Sequence, residues 1–280
     1  MSAANAAGLA ALGLWTLLGV LARLADGLPP MQVTAMAFAV AGAASLGIVA
    51  WRERLGALRQ APVVWLHGVG GLAGYHALYF LALSHAPAVE ANLLNYLWPL
   101  LIVLLSAPVL GLPLGPRRPG GVLLGFAGCV VLLAGGAGEG AGSAAWLGYL
   151  AALGCAMVWA MSSVTARLLA AVPTDAVAGF CAAAAGVAAG LHLAFEVSVV
   201  PDARQAVAVL LLGLGPVGAA FFLWDAGMKR GDPRLLGTLA YGVPVASTLL
   251  LIAAGDGVLD ARVALAALLV AGGGLLAARG

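Results

Sequence analysis

Ala91-Asn92-Leu93-Leu94-Asn95-Tyr96-Leu97-Trp98-Pro99 lies inside an uncharged run from Ala91 to Pro116. That run is long enough to cross a bilayer, which takes about 20 residues. It nevertheless holds two amides, a tyrosine, a tryptophan and a proline. Polar groups in hydrocarbon are costly unless they face protein, water or a ligand. Pro99 donates no backbone hydrogen bond and frees the carbonyl of Asn95. A bent helix with a loose carbonyl and amides beside it reads as part of a binding site. The pattern returns 145 residues later, where Tyr96-Leu97-Trp98-Pro99 lines up with Tyr241-Gly242-Val243-Pro244.

The surrounding chain sets the class. Of its 280 residues, 63% are hydrophobic and 9% charged, and mean hydropathy is +1.07. A soluble domain carries about 25% charge, so this composition requires a lipid bilayer around it. The net charge of +2 gives no case for nucleic acid. Cys129, Cys155 and Cys181 fall within apolar runs and read as small core hydrophobes, not as a disulfide or metal set. There is no P-loop, His-Glu-x-x-His, Gly-x-Ser-x-Gly or close carboxylate pair. No catalytic residue, cofactor or metal is therefore expected, and the chain does not read as an enzyme.

Ten runs lack Asp, Glu, Lys and Arg: 5–22, 31–51, 60–89, 91–116, 119–138, 140–166, 176–195, 205–224, 235–255 and 263–278. Ten spanning helices put ten Lys and Arg on one side and three (Arg23, Arg204, Arg262) on the other. The positive-inside rule makes the richer side cytoplasmic, with both termini there. The first run has no basic start, so it is not a signal peptide. It also has an internal partner. Trp15 to Leu24 matches Trp159 to Leu168 at five of ten positions, offset by 144 residues. The expected architecture is an all-α membrane protein of ten transmembrane helices in two inverted five-helix repeats, 1–139 and 140–280. Inverted repeats are typical of secondary transporters. Gly70/Gly74, Gly121/Gly125 and Gly186/Gly190 read as close-packing positions.

Within the membrane, Asn92, Asn95, Tyr96 and Pro99 fall on one helical stripe. Substrate binding and helix–helix hydrogen bonding both account for the two amides. Tyr75 and Tyr79 share a face of the third run, with His76 beside them. Trp15 and Trp159 lie deep in their helices, although tryptophan favours the interface, so they are candidates for a central cavity. Trp51, Trp65 and Trp146 fit the interfacial belt. Trp98 points off the polar stripe and reads as packing. Trp224, next to Asp225, is a candidate gate. Glu90 reads as an interfacial charge. The candidate proton handlers are Asp225, Glu90 and His76. The ninth run repeats the fourth with Thr238, Tyr241 and Pro244. Such a pocket, without a buried fixed charge, suits a zwitterion with an apolar or aromatic side chain.

Ten helices in two inverted halves resemble the drug/metabolite transporter superfamily in its EamA-like branch. Glu90-Ala91-Asn92-Leu93-Leu94-Asn95-Tyr96-Leu97-Trp98-Pro99-Leu100, Tyr79-Phe80-Leu81-Ala82-Leu83 and Trp159 are similar to the bacterial aromatic amino acid exporters of that branch. The resemblance covers nearly the whole chain and is most specific over residues 75–106. It implies export of amino acids, aromatic ones included, from the bacterial inner membrane by alternating access. It implies a cavity of Trp15, His76, Tyr79, Asn92, Tyr96, Trp159 and Tyr241; the proline pattern itself puts Asn95, Pro99 and Pro244 at helix breaks with a gating role. The partners expected are amino acid substrates and the lipid bilayer; a ten-helix bundle can enclose a path as a monomer. The alternatives are an exporter of drugs or other metabolites, and a membrane scaffold that transports nothing.

Overall fold

Pro30, Pro62 and Pro233 each open a helix at its first residue, where the missing N–H is not needed. Ser2 and Asp202 cap two more through their side chains. Those starts punctuate a computed structural model that describes residues 2–133, 145–255 and 259–278. All regular structure among the described residues is helical. In chain order the α-helices are α1 Ala3–Trp15, α2 Leu18–Leu24, α3 Pro30–Trp51, α4 Pro62–Val69 and α5 Tyr75–His85. Next come α6 Ala88–Asn95, α7 Trp98–Leu110, α8 Arg117–Leu133, α9 Ala145–Thr165 and α10 Val177–Phe195. The chain ends with α11 Ala203–Leu214, α12 Ala220–Arg230, α13 Pro233–Ala240, α14 Gly242–Ala253 and α15 Ala261–Ala278.

Several of these join into longer rods. Among the described residues seven are long and apolar enough to cross a membrane: Ala3–Leu24, Pro30–Trp51, Glu90–Leu110, Ala145–Leu169, Thr174–Phe195, Ala203–Arg230 and Pro233–Ala253. This is fewer than the ten expected: one path is less apolar, and two helices border residues outside those described. The α4–α5 path is diluted by His67, Tyr75, His76 and Tyr79. Helix α8 is described over Arg117–Leu133, starts on two arginines and borders residues outside those described. The apolar part of α15 is described over Ala261–Leu276 and likewise borders such residues. The boundary expected between 139 and 140 falls outside the described residues.

Two rods contain a π turn, a single wide turn of the kind found at functional sites. Gly70–Gly74 joins α4 to α5, and Gly215–Ala219 joins α11 to α12; their first residues are 145 apart. Two further rods are broken, at Tyr96-Leu97 and at Tyr241. A third break, at Thr16-Leu17, has no proline to announce it.

The rods pack as α3 on α10, α8 on α15, α7 on α13, α1 on α12 and α5 on α9. Glycine makes the closest of these possible. A Cβ on Gly42 would lie 2.9 Å from the Ala182 backbone, and one on Gly273 would lie 2.5 Å from the Gly121 carbonyl. Gly186 and Gly190, by contrast, face open space, so the packing role expected of them is not found.

Polar ties identify the two ends of the bundle. At one end Arg54 meets Asp175 (3.3 Å), Arg118 and Arg234 meet Asp232, and Arg167 bonds to the Gly231 carbonyl. At the other, the Glu196 carboxylate accepts the Met31 and Gln32 N–H groups at 2.9 and 3.1 Å, and Tyr149 donates to Glu90. The first is called the arginine-rich end below.

Candidate functional site

The break at Tyr96-Leu97 organises the site. Pro99 sits in the first turn of α7, where proline is favoured; its ring disfavours a helical turn reaching back to Asn95. The helix therefore stops at Asn95 and restarts at Trp98. Tyr96 takes φ −65° and ψ 4°, off the helical path. This changes the rotational phase of everything after it and turns the Trp98 ring inward.

Four indoles meet there. Trp15 lies 6.4 Å from Trp98, 5.8 Å from Trp159 and 5.1 Å from Trp224, centroid to centroid. Trp98 and Trp224 are 5.9 Å apart and nearly perpendicular. Phe221 closes on Trp159 at 5.7 Å and stacks on Phe38 at 5.8 Å. Such offset and edge-on pairs match the quadrupole preference of aromatic rings. Two indole N–H groups are satisfied: Trp15 donates to the Pro216 carbonyl of the π turn at 2.9 Å, and Trp224 to Ser163 Oγ at 3.0 Å. Those of Trp98 and Trp159 have no acceptor among the described residues.

Toward the opposite end the aromatic wall becomes polar. Tyr75 contacts Trp159 at 5.4 Å and His76 at 5.2 Å, and stacks on Tyr79 at 6.0 Å. His76 Nδ1 lies 2.7 Å from the Leu72 carbonyl, inside the other π turn. That bond fixes Nδ1 as the donor and leaves Nε2 of the neutral ring as an acceptor. Tyr79 donates to Asn92 Oδ1 at 2.5 Å. Asn95 Nδ2 bonds to the Tyr75 hydroxyl at 3.1 Å, but its Oδ1 is buried with no partner among the described residues. Turning the amide over exchanges the two atoms and still leaves one unpaired. A buried unpaired amide atom costs about 1–3 kcal/mol.

Toward the arginine-rich end lies a cavity of about 70 Å³, lined among others by Trp159, Trp224, Phe221, His67 and Asp225. His67 and Asp225 in this lining are polar and hydrogen-bonded. His67 Nε2 reaches the Ser162 carbonyl (3.0 Å) and Thr165 Oγ1 (2.9 Å). Asp225 accepts from Thr174 at 2.6 Å and from Lys229 at 2.7 Å. The Lys229 ammonium also meets the Val172 carbonyl at 3.0 Å. Among the described residues no group of three or more His, Cys, Asp or Glu comes together as a metal site.

Of the residues expected in the cavity, Trp15, His76, Tyr79, Asn92 and Trp159 form one continuous set. Tyr96 follows it at the break and makes no side-chain hydrogen bond among the described residues. Tyr241 is the correction. It is fully buried among Val103, Val122 and Cys129, beside Phe126, and its hydroxyl accepts the Leu100 N–H at 3.1 Å. Gly125 makes room for it, since a Cβ there would meet the tyrosine ring at 2.9 Å. Trp98, read as packing, is a core member of the indole cluster. Tyr75, Phe38 and Phe221 also belong to the wall. The shared face of Tyr75 and Tyr79 was a sequence signal for Tyr75; nothing local marked Phe38 or Phe221.

A sequence profile of the EamA-like transporter family matches residues 3–134. The protein described as the aromatic amino acid exporter YddG of Ancylobacter novellus is 48% identical over 280 residues, covering 99% of this chain and 97% of that one. A solved crystal structure, 47% identical, superposes with a TM-score of 0.93 over 98% of this chain and 96% of the solved one.

Proposed function

Because the chain belongs to the EamA-like transporter family, we propose that it exports amino acids, aromatic ones among them, across the bacterial inner membrane by alternating access. The observation that carries this is the Asn95 Oδ1, without a partner among the described residues, at the polar end of a wall of indole and phenol rings. A zwitterion needs an acceptor for its ammonium and donors for its carboxylate. Asn95 and the free Nε2 of His76 supply acceptors; the unpartnered indole N–H groups of Trp98 and Trp159 supply donors. The ring faces bury the substrate's side chain.

The proposal includes ten membrane-crossing helices in two inverted halves, 1–139 and 140–280, with both termini cytoplasmic. The α4–α5 path, α8 and α15 complete the ten. Three observations support this. The two π turns are 145 residues apart, as are the breaks at Tyr96 and Tyr241. The pairings α3 on α10, α8 on α15 and α7 on α13 each join a rod to its repeat partner, while α1 on α12 mirrors α9 on α5. The ten Lys and Arg that this arrangement gathers on one face favour that face as the cytoplasmic one.

The test is flux of Phe, Trp and Thr into proteoliposomes, with variants matched for insertion. Each well-formed ring pair contributes about 0.5–1.5 kcal/mol beyond area burial, or roughly three- to tenfold in affinity. Trp159→Ala and Tyr96→Ala are expected to slow Phe and Trp more than Thr. His76→Ala is expected to slow all three if the imidazole meets the amino acid backbone. Parental rates for Phe and Thr in both aromatic variants would leave the rings as packing alone.

A further inference from the structure

On the outside of the bundle, away from the aromatic cavity, a groove of about 290 Å³ runs between α3 and the π turn that joins α11 to α12. One wall is the stripe Ala41, Ser45, Ile48 and Arg52; the other includes Leu214, Gly218 and Phe222. Ser45 is satisfied by the Ala41 carbonyl at 2.5 Å, so the wall asks for no polar partner. The mouth of the groove is charged. Asp175 is matched by Arg54, whereas the Arg52 guanidinium has no partner among the described residues. Trp51, 81% exposed, stands next to Arg52 at the end of α3. Exposed tryptophan marks the membrane–water interface, which sets Arg52 at the depth of the lipid phosphates. From residue 41 to residue 52 a helix rises about 16 Å, close to the roughly 15 Å depth of one leaflet's hydrocarbon.

We propose that this groove seats one acyl chain of an anionic phospholipid, with its phosphate on Arg52. The occupant follows from the match of an unpaired cation at headgroup depth to an apolar channel one leaflet long. The lipid then presses on the outer side of the π turn whose inner side holds Trp15 through the Pro216 carbonyl. The inference rests on the bundle lying in a membrane with its arginine-rich end at one surface, and not on what the cavity carries.

The experiment uses the full-length protein, delipidated in detergent and read by native mass spectrometry. It is mixed in turn with phosphatidylglycerol, phosphatidylcholine and inorganic phosphate. One phosphatidylglycerol is expected to be retained, about fivefold better than phosphatidylcholine, as one arginine near a headgroup implies. Phosphate alone is expected not to displace it. Arg52→Gln, which removes the cation, and Ala44→Phe, which fills the groove, should each cut retention about fivefold. Arg59→Gln, on the same loop but off the groove, should not. Equal retention of the two lipids, displacement by phosphate, or parental retention in both groove variants would overturn the proposal. Binding is read without flux, so lipid retained by a protein that moves no amino acid would sink the export reading and leave this one standing.

Discussion

Asn95 and Tyr241 each hold one polar group at a helix break, and the two make opposite demands. The Asn95 amide has one atom with no partner among the described residues, so replacing it gives up one bond, to the Tyr75 hydroxyl, but relieves a buried unpaired oxygen. Asn95→Leu is expected to lower flux for every amino acid, with thermal stability equal or higher. A parallel loss of both would make Asn95 structural. The Tyr241 hydroxyl is the acceptor for the Leu100 N–H. Tyr241→Phe leaves that donor stranded, at about 1–3 kcal/mol. It should lower the melting temperature and leave the substrate KM unchanged. A changed KM at unchanged stability would return Tyr241 to the cavity. At this scale the sequence misleads for a specific reason. Tyr241 aligns with Tyr96 by repeat, but the glycine that receives its ring, Gly125, lies in another helix, and no alignment within the chain displays that neighbour.

The breaks and π turns are where elements depart from regular helix. Pro99→Ala and Pro244→Ala give each rod an N–H to continue its ladder. Slower transport at equal or higher thermal stability is expected; unchanged flux in both would remove the breaks from the mechanism. Most rods were legible as uncharged runs, and the break near Pro99 followed from proline's missing donor. Trp98 was not legible. On an unbroken helix it sits about 200° from Tyr96, on the far side; the break resets that phase and brings it to the indole cluster. The break at Thr16-Leu17 has no proline and no glycine at its centre. The π turns were equally silent, because Gly70 and Gly74 read just as well as packing.

For the whole molecule, orientation is the first thing to test. Position 200, whose valine is 91% exposed, and exposed Gly56 lie at opposite ends of the bundle. In a background lacking Cys129, Cys155 and Cys181, Val200→Cys should be labelled from outside intact cells and Gly56→Cys spared. The reverse pattern would invert the topology. The arginine-rich end also gives a pH prediction. Burial opposes ionisation of Asp232, but hydrogen bonds and charge from Arg234, then the Arg118 charge, outweigh it and hold the carboxyl below its usual range. A depressed pKa stabilises the fold above the unfolded value of about 3.9 and ceases to do so as pH falls through the folded one. Asp232→Asn should therefore lower the melting temperature at pH 7, and the difference should shrink only below about pH 4. The bond from Leu100 to Tyr241 has one more consequence. It fastens the bend of one half of the molecule to the bend of the other, so neither can flex alone without stretching it. The two bends then share a single coordinate, and a conformation open to both compartments at once would have to break that tie.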